Sequence, residues 1–213
     1  MTERQNPRIS TRKQPKQARS SQLVSAILEA AVHVLAKEGA QRFTTARVAE
    51  KAGVSVGSLY QYFPNKAAIL FRLQSDEWAQ TSGMLRRILE DKSLPPLERL
   101  RATVHAFIRS ECDEAQARVA LNDAAPLYRD APEAHAVRES GSRLMQTFVR
   151  EALPSASEET RALAADLIGD TLSAVGKQFS ESPRTSAEIE AYADGVSRML
   201  CAYLKDIGHR AAR

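Results

Sequence analysis

The stretch Thr44–Lys66, TTARVAEKAGVSVGSLYQYFPNK, decides how this chain is read. Thr44 is a residue type that caps a helix start, because its hydroxyl accepts a hydrogen bond from a free helix-end N–H. The short helix it opens carries Val48 and Ala49 and ends near Ala52. Gly53 then permits the positive φ of a tight turn. Ser55 caps a second short helix carrying Leu59, Tyr60 and Phe63. Helix, tight turn and helix within about 20 residues is the helix-turn-helix arrangement. The second helix starts on Ser55, Val56, Gly57 and Ser58, a small face that lets its backbone approach the major groove closely. Val56 suits a thymine methyl, and Ser55 and Ser58 suit a phosphate or a base edge. Gly57 lowers helix propensity by roughly 1 kcal/mol, a loss that makes sense where close backbone approach is needed. Tyr62 and Lys66 flank this helix within reach of phosphates, which the free N–H groups near Thr44 and Asn65 also attract.

Outward from this segment, apolar residues recur at helical spacing and Gly or Pro marks the breaks, so the fold class is all-α. A first helix is expected from about Ala18 to Glu38, with Ile27, Ala31, Val34 and Leu35 inward and Gly39 just past its end. Asn65 caps a long helix to about Glu90, apolar on two faces: Leu70, Leu73, Met84 and Ile88, then Phe71, Trp78 and Leu85. Pro95-Pro96 starts the next helix. Another follows from about Glu114 and is interrupted near Pro126, and Pro132 suits the first turn of one ending at Pro154. That last helix turns Ala134, Val137, Gly141, Leu144, Met145 and Phe148 one way. Ser155–Glu158 and Thr185–Glu188 both fit the capping box ahead of the last two helices. These present Leu163, Leu167, Ile168, Thr171, Leu172 and Val175, then Ile189, Tyr192, Ala193, Val196, Met199, Leu200, Tyr203 and Leu204. Two readings are open for the pair: closing the monomer core, or forming a four-helix bundle with a second copy.

The charge is uneven along the 213 residues. Residues 1–66 hold 11 Lys/Arg against four acids, while the remainder holds 19 against 22. A basic first third points to a polyanionic partner for that part alone. No apolar run approaches the roughly 18 residues of a membrane helix. Residues 1–20 are polar and basic without the apolar core of a secretory signal, and Cys112 and Cys201 lie far apart with no CxxC pairing. The expected compartment is the cytoplasm, with no metal site and no cofactor.

With those residues set out, the chain resembles the TetR family of bacterial repressors. The matching residues are Ile27-Leu28-Glu29-Ala30-Ala31, Gly39, Thr44-Thr45, Val48-Ala49, Ala52-Gly53-Val54-Ser55, Gly57-Ser58-Leu59-Tyr60, Tyr62-Phe63, Asn65-Lys66 and Leu70, within residues 18–75. The resemblance implies an all-helical dimer whose N-terminal three-helix domain binds palindromic DNA and whose larger C-terminal domain binds an effector and dimerises. The implied division is a basic disordered tail over 1–17, the helix-turn-helix domain over 18–65 and the effector and dimerisation domain over 66–213. It implies phosphate and occasional base contacts from Thr44, Thr45 and Arg47, and recognition by Ser55, Val56, Gly57, Ser58 and Tyr60. It further implies a phosphate contact from Tyr62 and a backbone clamp from Lys66, while Val48, Leu59 and Phe63 hold the small domain together. Arg12, Lys13, Lys16 and Arg19 either enter a flanking minor groove or add nonspecific attraction.

The effector half carries no motif naming a ligand. A mostly apolar cavity with a few polar anchors is expected, and its candidate lining is Trp78, His105, Phe107, Cys112, Asn122, Tyr128, Met145, Phe148 and Gln178. The candidate dimer surface is Leu167, Thr171, Val175, Tyr192, Val196, Met199 and Tyr203, so that charge placed at Val196 is expected to impair dimerisation. Two other function classes stand beside the effector-released repressor. One is a ligand-independent architectural DNA binder, against which stand the 138 residues that follow the first 75. The other is a helical enzyme, for which HExxH, GxSxG, Walker A and Rossmann motifs are all missing. Glu111-Cys112-Asp113 has no histidine within helical reach on the same face.

Overall fold

The computed structural model describes residues 9–12, 18–128 and 130–211, without the side chains of 135–138 and 140. The described elements are α-helices joined by short turns. They run α1 (Ala18–Arg42), α2 (Thr45–Lys51), α3 (Val56–Tyr62), α4 (Lys66–Leu89), α5 (Pro96–Asp113), α6 (Ala115–Ala124), α7 (Pro132–Ala152), α8 (Glu158–Ser180) and α9 (Ser186–Ala211), with a 3₁₀ turn at Ala125–Leu127. No strand occurs among the described residues, and no helix there is long and apolar enough to cross a membrane.

Local chemistry accounts for most helix ends. The Asn65 carboxamide accepts from the Ala68 N–H at 2.9 Å and opens α4. Gly39 sits at φ +73°, a left-handed conformation that costs a side-chain-bearing residue about 1 kcal/mol or more, and it kinks α1 where a helix end was expected. Thr185 and Glu188 form a reciprocal capping box: the Thr185 N–H donates to the Glu188 carboxylate at 2.7 Å, and the Glu188 N–H to the Thr185 hydroxyl at 3.3 Å. The other expected box is displaced. Ser157, not Ser155, caps α8, accepting from the Thr160 N–H at 3.2 Å. Ala156 is buried, so the chain turns inward there before the helix can start.

The chain divides into two compact units. The first comprises the described residues up to Trp78 together with Gln116–Val137. Its core gathers Ile27, Ala31, Val34 and Leu35 of α1 with Phe43, Val48, Leu59, Phe63, Ile69 and Leu70. Leu121, Ala124, Tyr128 and Ala131 join the same core. The Tyr128 hydroxyl donates to the Leu121 carbonyl at 3.1 Å, and its ring lies 5.7 Å from that of Phe71. The expected boundary after residue 65 therefore falls inside this unit, because Ala67–Leu70 and Leu73 of α4 are buried in it together with Leu121, Ala124, Tyr128 and Ala131. The expected disordered tail also departs from the structure where it is described: Ile9 is buried, and the Arg12 N–H donates to the Tyr62 carbonyl at 2.8 Å.

The second unit comprises Ala79–Ala115 and the described residues from Arg138 onward. In it α5 packs against α8 and α9, around Leu100, Val104, Ile108, Ile168, Leu172, Ala193 and Leu200. Gly176 allows the closest approach: a Cβ there would stand 2.8 Å from Cε1 of Phe107.

Candidate nucleic-acid interface

The site is a short helix presented by a small apolar core. The Thr44 hydroxyl accepts from the Arg47 N–H at 3.3 Å and starts α2. Ala52 closes α2, and Gly53, at φ +67°, reverses the chain. The Ser55 hydroxyl accepts from the Ser58 N–H at 3.0 Å and starts α3. Leu59, Tyr62 and Phe63, spaced i, i+3 and i+4, turn into the core. That rotation leaves Val56, Gly57, Tyr60 and Gln61 exposed on the opposite face, with Ser58 half-buried.

Several of the expected contact residues are held by neighbours. The Tyr60 hydroxyl lies 3.1 Å from the Thr45 hydroxyl, tying α3 to α2 at the surface. Ser55 and Ser58 share a hydrogen bond between their hydroxyls at 2.8 Å. Arg47 pairs with Glu38 and reaches the Arg42 carbonyl at 3.5 Å, an exposed pair that leaves its guanidinium accessible. Lys66, half-buried in the first turn of α4, lines a hollow of about 630 Å³ with Glu38, Arg42 and Asp123. Of the basic tail, Arg12 docks on the end of α3, its guanidinium 3.5 Å from the Tyr60 carbonyl. Arg19 is exposed at the start of α1, and Lys13 and Lys16 lie outside the described residues.

Tyr62 is a correction. Only 6% of it is exposed, so it is a packing residue, and Tyr60 is the tyrosine on the outer face. Gln61 is exposed beside Tyr60, and a carboxamide is a group that reads adenine edges.

The effector candidates divide between the two units. Trp78, Asn122 and Tyr128 belong to the first unit, and the other six to the second. Asn122 and Gln178 are exposed, and Tyr128 and Phe148 are buried. His105 stands between two carboxylates of α9, with Nδ1 3.1 Å from Glu190 and Nε2 3.2 Å from Asp194. Phe107 packs against Gly176, while Cys112 and Met145 are half-buried at the edge of the second core. Burial pushes the Cys112 thiol above its ordinary pKa, with Asp113 and Glu111 adding to the effect, so it is no thiolate at neutral pH. One hollow of about 320 Å³ lies in this unit, and among the candidates it takes in only Phe148.

The dimer candidates divide by exposure. Leu167 and Met199 are exposed large apolar residues, and so is Leu163 at 64%, which lies outside the expected surface. Thr171, Val175, Tyr192 and Tyr203 are half-buried, Tyr192 stacking on Phe179 at 3.9 Å between centroids. Val196 is a correction: at 7% exposure it belongs to the monomer core. Charge there would unfold the unit whether or not a partner exists, so the exposed leucines are the positions to test.

Comparison with known proteins agrees with this architecture. Residues 27–73 match the family model of bacterial regulatory proteins of the tetR family, and residues 95–207 match that of the tetracyclin repressor-like C-terminal domain. The nucleoid occlusion factor SlmA of Vibrio campbellii is 40% identical over 85 residues, covering 38% of this chain and 42% of that protein. The chain thus spans less than half the length of this relative. The HTH-type transcriptional repressor KstR of Rhodococcus jostii is 27% identical over 144 residues, covering 68% of this chain and 66% of the repressor. Among solved structures, the fatty acid degradation regulator FadR of Bacillus halodurans superposes with a TM-score of 0.67 at 20% identity, covering 88% of this chain and 97% of FadR. That likeness is one of fold. With the amino-terminal model on the helix-turn-helix and the carboxy-terminal model over more than half of its length, the chain belongs to the TetR family of bacterial transcriptional regulators.

Proposed function

We propose that the chain is a cytoplasmic repressor that binds a palindromic operator as a homodimer through α3 and is released by a small-molecule effector held in its second unit. The observation that carries the reading is Gly57. It lies inside α3, and a Cβ there would meet nothing nearer than the Ser55 hydroxyl at 3.8 Å. The fold therefore has no need of glycine at this position, and helix propensity argues against one. A glycine disfavoured by its own helix, on the exposed face of that helix, fits a surface that must come close to another molecule.

Gly57→Ala separates the two demands. The variant is expected to be more stable, by up to about 1 kcal/mol. It is also expected to bind operator more weakly by about 1–3 kcal/mol, the scale of one lost base contact. Thermal melting and operator titration read the two effects. Operator affinity equal to wild type would show that α3 does not approach DNA at Gly57.

Lys66→Ala tests the electrostatic part. It is expected to weaken operator and non-operator DNA alike and to lower the salt slope by about 1. An unchanged slope removes Lys66 from the phosphate contacts and leaves it as a wall of the hollow beside Asp123.

Release needs only a modest coupling. A bound effector must favour a conformer whose paired α3 helices no longer match major grooves about 34 Å apart. About 1–3 kcal/mol of coupling lowers operator affinity roughly 5–150-fold. A second reading is constitutive DNA binding without an effector. Operator affinity that responds to no small molecule across a metabolite panel would select that second reading.

A further inference from the structure

The recognition helix α3 has seven residues, well short of the roughly 12–15 at which an isolated helix begins to hold itself in water. Its inward face is fixed by Leu59, Tyr62 and Phe63, but its C-terminal end needs donors of its own. Helix geometry leaves the last carbonyls of any helix without an intrahelical partner. In α3 the Phe63 N–H closes on the Leu59 carbonyl at 3.0 Å, and Phe63 then leaves the helix in an extended conformation. The next donor in register, for the Tyr60 carbonyl, would be Pro64, which has no N–H.

The missing donors come from Arg12, 48 residues before Tyr60. Its N–H donates to the Tyr62 carbonyl at 2.8 Å, and its guanidinium lies 3.5 Å from the Tyr60 carbonyl. Arg12 is itself exposed. What holds it in place is Ile9, 2% exposed and part of the core of the first unit. Only Ser10 and Thr11 separate the two, so burial of Ile9 also orders the N–H of Arg12 and offsets the entropy lost there.

We infer that residues 9–12 are a clasp that positions the recognition helix, with Ile9 as its anchor and the Arg12 N–H as its cap, so that operator recognition depends on a segment outside the three helices. The inference rests on the reading of α3 as the helix that enters DNA. Two variants of the full chain test it. Ile9→Ser removes the anchor without changing charge. Arg12→Pro removes the cap donor without touching the core, and Arg12→Ala is its control, losing the same charge but keeping the N–H. In both test variants hydrogen exchange of the α3 amides is expected to rise about tenfold above wild type and above Arg12→Ala, with the α5 amides unchanged. Operator affinity is expected to fall about five- to tenfold, the scale of one lost hydrogen bond, while affinity for a non-operator duplex of equal length is kept. Ile9→Val is expected to behave as wild type in both measurements. Unchanged α3 exchange in both test variants overturns the clasp. Equal losses on operator and non-operator DNA, or a loss in Arg12→Ala as large as in Arg12→Pro, overturn the positioning role and make the segment an electrostatic arm. Exchange is read without DNA, so a wild-type chain with no operator preference ends the reading of α3 while the clasp is still decided.

Discussion

A chain carrying Leu163→Glu and Leu167→Glu together is expected to sediment as a monomer and to lose operator affinity by about a hundredfold or more. The two leucines lie one turn apart on α8, so they form one patch, and both are exposed in the monomer. Met199 of α9 is the third large apolar residue exposed on these two helices. The opposite side of α8, Ala164, Ala165, Ile168 and Leu172, already fills the core of the second unit. An amphipathic helix with one face in its own core and leucines on another has a place for a second copy. Two carboxylates in that patch would be buried without partners on dimerisation, which is strongly unfavourable. The loss on DNA follows from avidity: a dimer's second half-site adds about 10²–10⁴ to its affinity, and a monomer forfeits it. Helix content and melting of the monomer are expected to stay near wild type, because neither leucine supports the core. A variant that remains dimeric would move the interface off α8.

Arg99→Ala is expected to destabilise the second unit by roughly 2–5 kcal/mol, the range for truncating a fully buried long side chain and leaving a cavity. In the folded protein the Arg99 guanidinium donates to the Leu89 carbonyl and the Glu151 carboxylate. It also lies 5.6 Å from the Phe148 ring centroid. It therefore joins the ends of α4, α5 and α7. Hydrogen bonds from Arg99 and then Lys92 hold the Glu151 carboxyl at about 2, against an ordinary 4.5. A carboxyl depressed on folding contributes stability above its unfolded value, and that contribution is lost as the pH falls from about 4.5 towards 2. Urea midpoints at pH 7 and pH 3 are expected to differ less for the variant than for wild type, because Lys92 alone depresses Glu151 less. An unchanged midpoint at pH 7 would mean that neither the Arg99 guanidinium nor its buried stem stabilises the unit.

What was legible in the sequence is what local chemistry decides. Thr44, Ser55 and Asn65 cap the helices they were expected to cap, and Gly39 and Gly53 take the positive φ that only glycine adopts readily. Ser155 has the box partner Glu158 in the sequence, yet the cap forms at Ser157, beside the buried Ala156. Tyr62 shows a resemblance outweighing a pattern, since its spacing from Leu59 is that of an inward residue. The remainder depends on partners distant in sequence. Nothing near Arg99 announces that it is buried, because Glu151 lies 52 residues on. Nothing within 116–137 says that its apolar residues complete the core begun by α1. The effector candidates rest on residue type, but a hollow is made by the spacing of helices.

The central claim is sequence-specific DNA recognition by a dimer, and its most direct measurement is selection of genomic fragments by the purified full chain, read out by sequencing. The account predicts recovery of a palindrome whose half-sites are spaced by about one helical turn or a multiple of it, with the preferred half-site altered by substitution at Val56. Recovery of no preferred sequence by folded, dimeric protein would contradict it.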